Sequence, residues 1–246
     1  NFEKKLNDFN INLEIIKTDS FKVFFDKLFK KKEISIYWNK VYEPDYLKFD
    51  EYLSKNLKTN NIPFRICKGN ALNEIDEVKK GDGTPFKVFT PFWRNAEKYY
   101  FEKIPPKEKM LKKCLRKKKY FQTCIDSREI LPKSKWYQNF EKIWSPSEEN
   151  ALKELRNFVK HRIMNYSDGR NFPNIIGTSK LSPFIKFGQI HVETIWNECM
   201  SAKKTIGTSK FLAEIGWREF NHTLINYFPH MLKNNYSKKF DKFPWE

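Results

Sequence analysis

Cysteine is scarce. The four residues Cys67, Cys114, Cys124 and Cys199 are scattered, and no pair has C-x-x-C spacing. That pattern excludes a disulfide scaffold or a zinc framework, and it reads as reduced thiols in an intracellular protein. The four histidines, His161, His191, His222 and His230, form no H-E-x-x-H, so no metal site is expected. No apolar run reaches the roughly 18 residues of a membrane span, so no transmembrane helix is expected. No G-x-G-x-x-G follows a strand-like segment, so a dinucleotide fingerprint is missing. The chain begins Asn-Phe-Glu-Lys-Lys, with neither Met nor a signal-peptide pattern, which reads as a fragment or a processed chain.

What is present is aromatic and basic. Hydrophobic residues make up 39% of the 246, enough for a core, and aromatics 17%, with 23 Phe and 7 Trp. Lys plus Arg number 47 against 30 acidic residues, a net charge of +17. An excess of that size points to a polyanionic partner, nucleic acid before membrane. A Lys-rich bias of the source genome gives the same balance.

Residues 12–67 alternate. "NLEIIK" (12–17) reads as a strand, and "SFKVFFDKLFKKK" (20–32) as an amphipathic helix capped by Ser20. "EISIYWN" (33–39) is a second strand. "PDYLKFDEYLSKNL" (44–57) is a helix with Pro44 in its first turn, and "IPFRIC" (62–67) is a third strand. A β-α-β-α-β rhythm predicts a parallel sheet with crossover helices. "KKGDGTPFKVFTPFWR" (79–94) interrupts it with turn signals followed by aromatics. Residues 95–143 are Lys-rich and broken by prolines, most densely in "KIPPKEKMLKKCLRKKK" (103–119). That run is either a solvated connector or a basic arm for a nucleic-acid backbone. From Trp144 the pattern is helical. Ser145-Pro146 is a start signal, and Leu152, Leu155, Phe158, Val159 and Ile163 keep the 3–4 spacing. Further helices are expected near 190–203 and 209–228.

The chemistry-bearing residues lie in that helical part. Projected at 100° per residue, Leu212, Ile215, Gly216, Phe220 and Leu224 of the last helix form an ordinary core face. Glu214, Trp217, Arg218 and Asn221 share the opposite face. A Trp flanked by an acid, a base and an amide suits a flat, hydrogen-bonding ligand. A functionless Trp–Arg cation–π pair has the same composition. Upstream, Ile-Gly-Thr-Ser-Lys occurs twice, at 176–180 and 206–210. The first copy runs into Leu181-Ser182-Pro183, a helix start with Ser182 as N-cap, where hydroxyls and free N–H groups favour an anion. An unliganded cap would look alike. In the second copy Ser209 is expected to cap the helix that follows.

Taken together, "YEP" with its following helix (42–50), "GTPFKVFTPFWR" (83–94), Tyr166 with Arg170, "GTSKLSPFIKFGQI" (177–190) and "FLAEIGWREF" (211–220) resemble the DNA photolyase/cryptochrome family. The likeness runs over nearly the whole chain and is greatest to the class I pyrimidine-dimer photolyases. It implies a Rossmann-like parallel α/β antenna-type domain at 1–94 and a basic connector at 95–143. At 144–246 it implies the N-terminal part of an all-helical FAD-binding domain, both domains being incomplete. By position it assigns Tyr166, Thr178, Ser179, Lys180, Leu181, Ser182 and Phe211 to FAD, and Arg170, Glu214, Trp217, Arg218 and Asn221 to DNA and the lesion. No catalytic residue beyond these substrate contacts falls in the segment.

The implied activity is light-driven repair, in which photoexcited reduced FAD splits a cyclobutane pyrimidine dimer in damaged double- or single-stranded DNA. Photolyases belong with the enzymes that draw their target base out of the stack before acting on it. The alternatives are a cryptochrome-type photoreceptor and a non-enzymatic basic DNA-binding protein. A monomer is implied, cytoplasmic and DNA-associated as in bacteria. The family's usual first strand is absent, and the segments that close the other side of the flavin lie past Glu246. The chain alone is therefore expected to bind FAD weakly or not at all and to be inactive. A second, antenna chromophore is implied without its identity, because Asp45 and Tyr46 stand where folate-binding members carry Asn and Glu.

Overall fold

The computed structural model describes residues 2–30, 34–101, 125 and 132–244. The basic run at 103–119, with Cys114, lies outside them, as does Cys124.

The N-terminal part opens with α1 (Phe2–Asp8) and α2 (Phe21–Leu28). The Ser20 hydroxyl caps α2 by accepting from the Val23 N–H, 3.2 Å away. β1 (Ile36–Asn39), α3 (Pro44–Thr59) and β2 (Phe64–Cys67) then form one β-α-β unit, with Pro44 at the start of α3 as expected. The strands pair in parallel, Ile36 opposite Phe64 and Asn39 opposite Cys67. Only these two strands form a sheet among the described residues. The stretch 12–17, expected as a strand from its apolar residues, joins no ladder and is irregular. Its apolar content signals partial burial but not pairing, which needs a free edge to bond. Leu53, Leu57 and Ile62 centre a small core here, ringed by Phe25, Phe29, Trp38, Phe49 and Phe64.

After a turn in which the Asp82 carboxylate accepts from the Thr84 N–H and hydroxyl, α4 (Phe89–Phe101) begins. The 94/95 position falls inside this helix. Phe92 and Ala96, on either side of it, share one large core with the helices that follow. These are α5 (Glu148–His161), α6 (Tyr166–Gly169), α7 (Ser182–Lys186), α8 (Val192–Ser201) and α9 (Ile206–Tyr227). The apolar stripe expected for α5 is observed: Leu155, Phe158 and Ile163 are buried, and Leu152 and Val159 pack against the same core.

Three caps differ from expectation. Ser147, not Ser145, caps α5 by accepting from the Asn150 N–H at 3.0 Å, because Pro146 stands before the cap rather than after it. Ser182 is the first residue of α7, and Leu181 holds the cap position without a side-chain bond. Thr205, not Ser209, caps α9, accepting from the Thr208 N–H at 3.1 Å. The second Ile-Gly-Thr-Ser-Lys is therefore the first turn of α9 itself. There a Cβ on Gly207 would collide with the carbonyl oxygens of Ile163 and Met164, so the glycine is what lets α9 lie against that turn.

Candidate functional site

α9 places its two faces as the helical arithmetic requires. Leu212, Ile215, Gly216 and Phe220 are buried, whereas Trp217 keeps 41% of its surface exposed. Asn221 is exposed, and Glu214 and Arg218 are half-buried. These four side chains nevertheless reach different neighbourhoods.

The first neighbourhood holds Glu214, Arg170, Tyr166 and Phe211. Glu214 and Arg170 form an ion pair across the α6–α9 contact. The Arg170 guanidinium lies 5.5 Å from the centre of the Tyr166 ring. Tyr166 meets Phe211 edge-on at 5.2 Å, and Phe211 packs on Phe158 at 4.7 Å. Burial raises the Tyr166 phenol above its ordinary value, Arg170 lowering it in part, so the ring stays neutral. An acid, a base and an aromatic edge thus sit together over a buried aromatic floor.

The second centres on Trp217. Its indole stacks on Phe89 with centroids 3.8 Å apart and planes 9° from parallel. Phe89 stacks in turn on Trp93 at 6.0 Å. Trp93 fits against α9 because residue 216 is glycine: a Cβ there would enter the indole ring. Trp217 therefore has one face on protein and an exposed remainder. Phe89 belongs to the 83–94 motif, yet the sequence assigns it no role, and no periodicity links it to a Trp more than a hundred residues away.

The third surrounds Arg218, which turns inward. Its guanidinium donates to the Glu219 carboxylate at 2.8 Å and to the Asn70 carbonyl. Glu219 is only 5% exposed and also accepts from the Leu72 N–H at 2.9 Å. Burial pushes its carboxyl up to about 7, against the pull of Arg218 and the Leu72 and Asn73 amides. One turn on, burial and then the Arg218 charge push His222 down to about 4; its ring stacks on Tyr42 at 5.3 Å. Sequence reasoning misses Asn70, Glu219 and His222. A Glu at a core angle of α9 is the available signal for Glu219.

The hydroxyl-rich turn is built differently from its sequence copy. A Cβ on Gly177 would strike the Gly169 carbonyl, so this copy docks on α6. Ser179 Oγ accepts from the Leu181 N–H at 3.4 Å, and Lys180 takes a left-handed conformation with φ 55°. Leu181 is buried, whereas Thr178 and Ser182 are exposed. Lys180 and Ser182 open onto separate clefts. That of Lys180, about 350 Å³, is shared with Trp144, Asn150 and Glu154. That of Ser182, about 460 Å³, is shared with Tyr42, Asn70, Lys186, Arg218 and His222. Among the described residues no group of three or more His, Cys, Asp or Glu could hold a metal, and no helix is long and apolar enough to cross a membrane.

Residues 1–110 match the DNA photolyase family. The chain is 30% identical over 234 residues to a deoxyribodipyrimidine photo-lyase of Agrobacterium fabrum, covering 92% of this chain and 48% of that protein. It is 23% identical to cryptochrome-2 of Arabidopsis thaliana, covering 96% of this chain and 41% of that protein. Among solved structures, a bacterial class III photolyase from Agrobacterium tumefaciens superposes with a TM-score of 0.85 at 27% identity, over 99% of this chain and 51% of that one. An archaeal photolyase from Sulfolobus tokodaii, solved with two FAD molecules, gives 0.71 at 21% identity, over 99% and 50%. The chain spans about half the length of the curated relatives it matches.

Proposed function

Since residues 1–110 are a DNA photolyase family domain and the chain is homologous to photolyases and cryptochromes, we propose that it is the N-terminal part of a light-dependent DNA-repair flavoprotein. Its substrate is the cyclobutane pyrimidine dimer. Within it, 1–94 serves as the α/β antenna-type unit, 95–143 as a basic connector and 144–246 as the first part of the FAD-binding unit. The whole works as a monomer on damaged DNA in the cytoplasm.

The observation that carries the reading is the grouping on α9: a paired Glu214 and Arg170 above Tyr166 and Phe211, beside a half-free Trp217. A flipped dimer needs what this surface offers, a hydrogen-bonding acid at a base edge and an aromatic plane against its apolar rim. Arg170 has charge for the strand that carries the dimer, and Asn221 stands exposed on the same face.

The residues fit FAD as one wall of a site. Thr178 and Ser182 present exposed hydroxyls for its phosphates, while Lys180, on the same turn, opens onto the neighbouring cleft beside Trp144. Leu181, Tyr166 and Phe211 lie in the core behind that turn and would back the wall rather than face the cofactor. When bound, FAD in its reduced form supplies the light-driven electron, while the protein orients it and excludes water. A second, antenna chromophore belongs to the same proposal.

The matching cryptochrome keeps one other reading open, a photoreceptor without repair. The test is dimer loss from a UV-irradiated oligonucleotide under blue light, using the natural gene product that carries this sequence. Repair is the expected result. Flavin photochemistry with dimers left intact would favour the photoreceptor. Equal affinity for irradiated and undamaged DNA would remove the lesion-binding face.

A further inference from the structure

Helical angle assigns Arg218 to the DNA-facing set, but its hydrogen bonds run the other way. They reach a short strap, Lys68 to Asn73, that leads from the end of β2 into the helical body. The strap is fastened along its length. Lys68 pairs with Glu193 at the start of α8. The Gly69 carbonyl meets His191 Nε2 at 3.2 Å. Asn70 donates to the carbonyls of Ile185 and Ile190, at 3.0 and 3.2 Å, and accepts from the Val192 N–H at 2.8 Å. Leu72 N–H reaches Glu219. Arg218 joins two of these fastenings, giving one N–H to the Asn70 carbonyl and one to Glu219. Gly69 is packed so closely on the chain just after β1 that a Cβ would collide with the Lys40 carbonyl, so the strap also lies directly against the sheet.

We propose that Arg218 is a positioning residue rather than a DNA contact: it staples the Lys68–Asn73 strap to α9 and so fixes the rotation of the helix that presents Trp217 and Glu214. This rests on the repair reading for what α9 presents, though not for the staple itself. The chemistry favours arginine specifically. A planar fork can serve a carbonyl and a carboxylate at once, whereas a lysine offers a single point charge. A backbone phosphate contact discriminates less, since lysine serves it as a point charge. Each such contact contributes about 0.9 to the slope of log affinity against log salt.

Arg218→Lys and Arg218→Gln separate the two roles. Amide hydrogen exchange over residues 68–75 is measured in the free protein, and the salt slope on undamaged duplex DNA. A staple predicts that both variants speed Leu72 exchange by about tenfold or more, since an opened hydrogen bond is what exchange reads. It also predicts that Arg218→Lys fails to rescue, and that the salt slope stays at the wild-type value. Wild-type exchange in Arg218→Lys overturns the proposal. So does a slope that falls by about one in Arg218→Gln and returns in Arg218→Lys. If Arg218→Gln does not fold, exchange in Arg218→Lys still decides. If no DNA binding is measurable, the repair reading fails, and exchange alone judges the staple.

Discussion

Glu219 and His222 carry opposite proton anomalies one turn apart on α9, and together they predict an unusual flatness in stability. Burial raises Glu219 from 4.5 to about 7 and lowers His222 from 6.5 to about 4. Between pH 4.5 and 6.5 the folded chain holds a proton on Glu219 and none on His222. The unfolded chain holds one on the histidine and none on the glutamate. The proton count of the pair is the same in both states, so its contribution to the pH slope vanishes. The signs are opposite when the groups are taken singly. The raised carboxyl contributes stability that is complete below 4.5 and lost as pH rises through 7. The lowered imidazole contributes stability that is complete above 6.5 and lost as pH falls through 4.

Glu219→Gln removes one side of this balance while keeping the shape and an acceptor for the Leu72 N–H. Each unmatched proton changes stability by about 1.4 kcal/mol per pH unit. The variant should therefore lose about 3 kcal/mol relative to its own stability at pH 6.5 when brought to about pH 4. His222→Gln should behave in reverse, losing a similar amount as pH rises from about 4.5 to about 7. Urea titrations from about pH 4 to about pH 8, followed by circular dichroism, give the profiles. Subtracting wild type from variant cancels the other titrating groups. A difference profile for Glu219→Gln that is flat across this range would refute the reasoning, because it would mean that Glu219 titrates alike in both states.

Three further outcomes are expected. Gly177→Ala and Gly207→Ala each force a Cβ onto a carbonyl, so each should destabilise by about 2 kcal/mol or more, seen as a lowered thermal midpoint. A Gly81→Ala control, where a Cβ meets nothing, should leave the midpoint nearly unchanged. Trp217→Ala should weaken binding of dimer-containing DNA by roughly 1–3 kcal/mol and undamaged DNA by less; equal losses would make the indole a structural group. Leu57→Ala, which empties a fully buried site in the β-α-β core, should cost about 2–5 kcal/mol by urea titration.

Much of α9 was legible because a single helix obeys a single angle. The core stripe and the Glu214–Trp217–Arg218–Asn221 face both follow from 100° per residue. Ser20 and Pro44 were equally readable, since capping is local chemistry. Caps failed where several hydroxyls competed. Thr205, Thr208 and Ser209 all precede or open α9, and Thr205 takes the cap, two residues before the Gly207 contact with Ile163 and Met164. The stretch 12–17 failed because strand pairing depends on a distant edge. What the angle could not reveal was direction toward partners far along the chain. Arg218 shares a face with Trp217, yet bonds to Asn70, and Trp217 lies on Phe89 rather than on Arg218.

The duplicated Gly-Thr-Ser-Lys has a consequence for how the protein tolerates change in length. Gly207 touches down on the carbonyls at the start of the 163–169 stretch, and Gly177 on the carbonyl at its end. Tyr166 lies between these two contacts, held from both sides. The exposed residues 171–176 only bridge one contact to the next. Extra residues inserted there should bulge into solvent, leaving the Tyr166 ring where it is, whereas one residue added within 163–169 should throw the two glycines out of step.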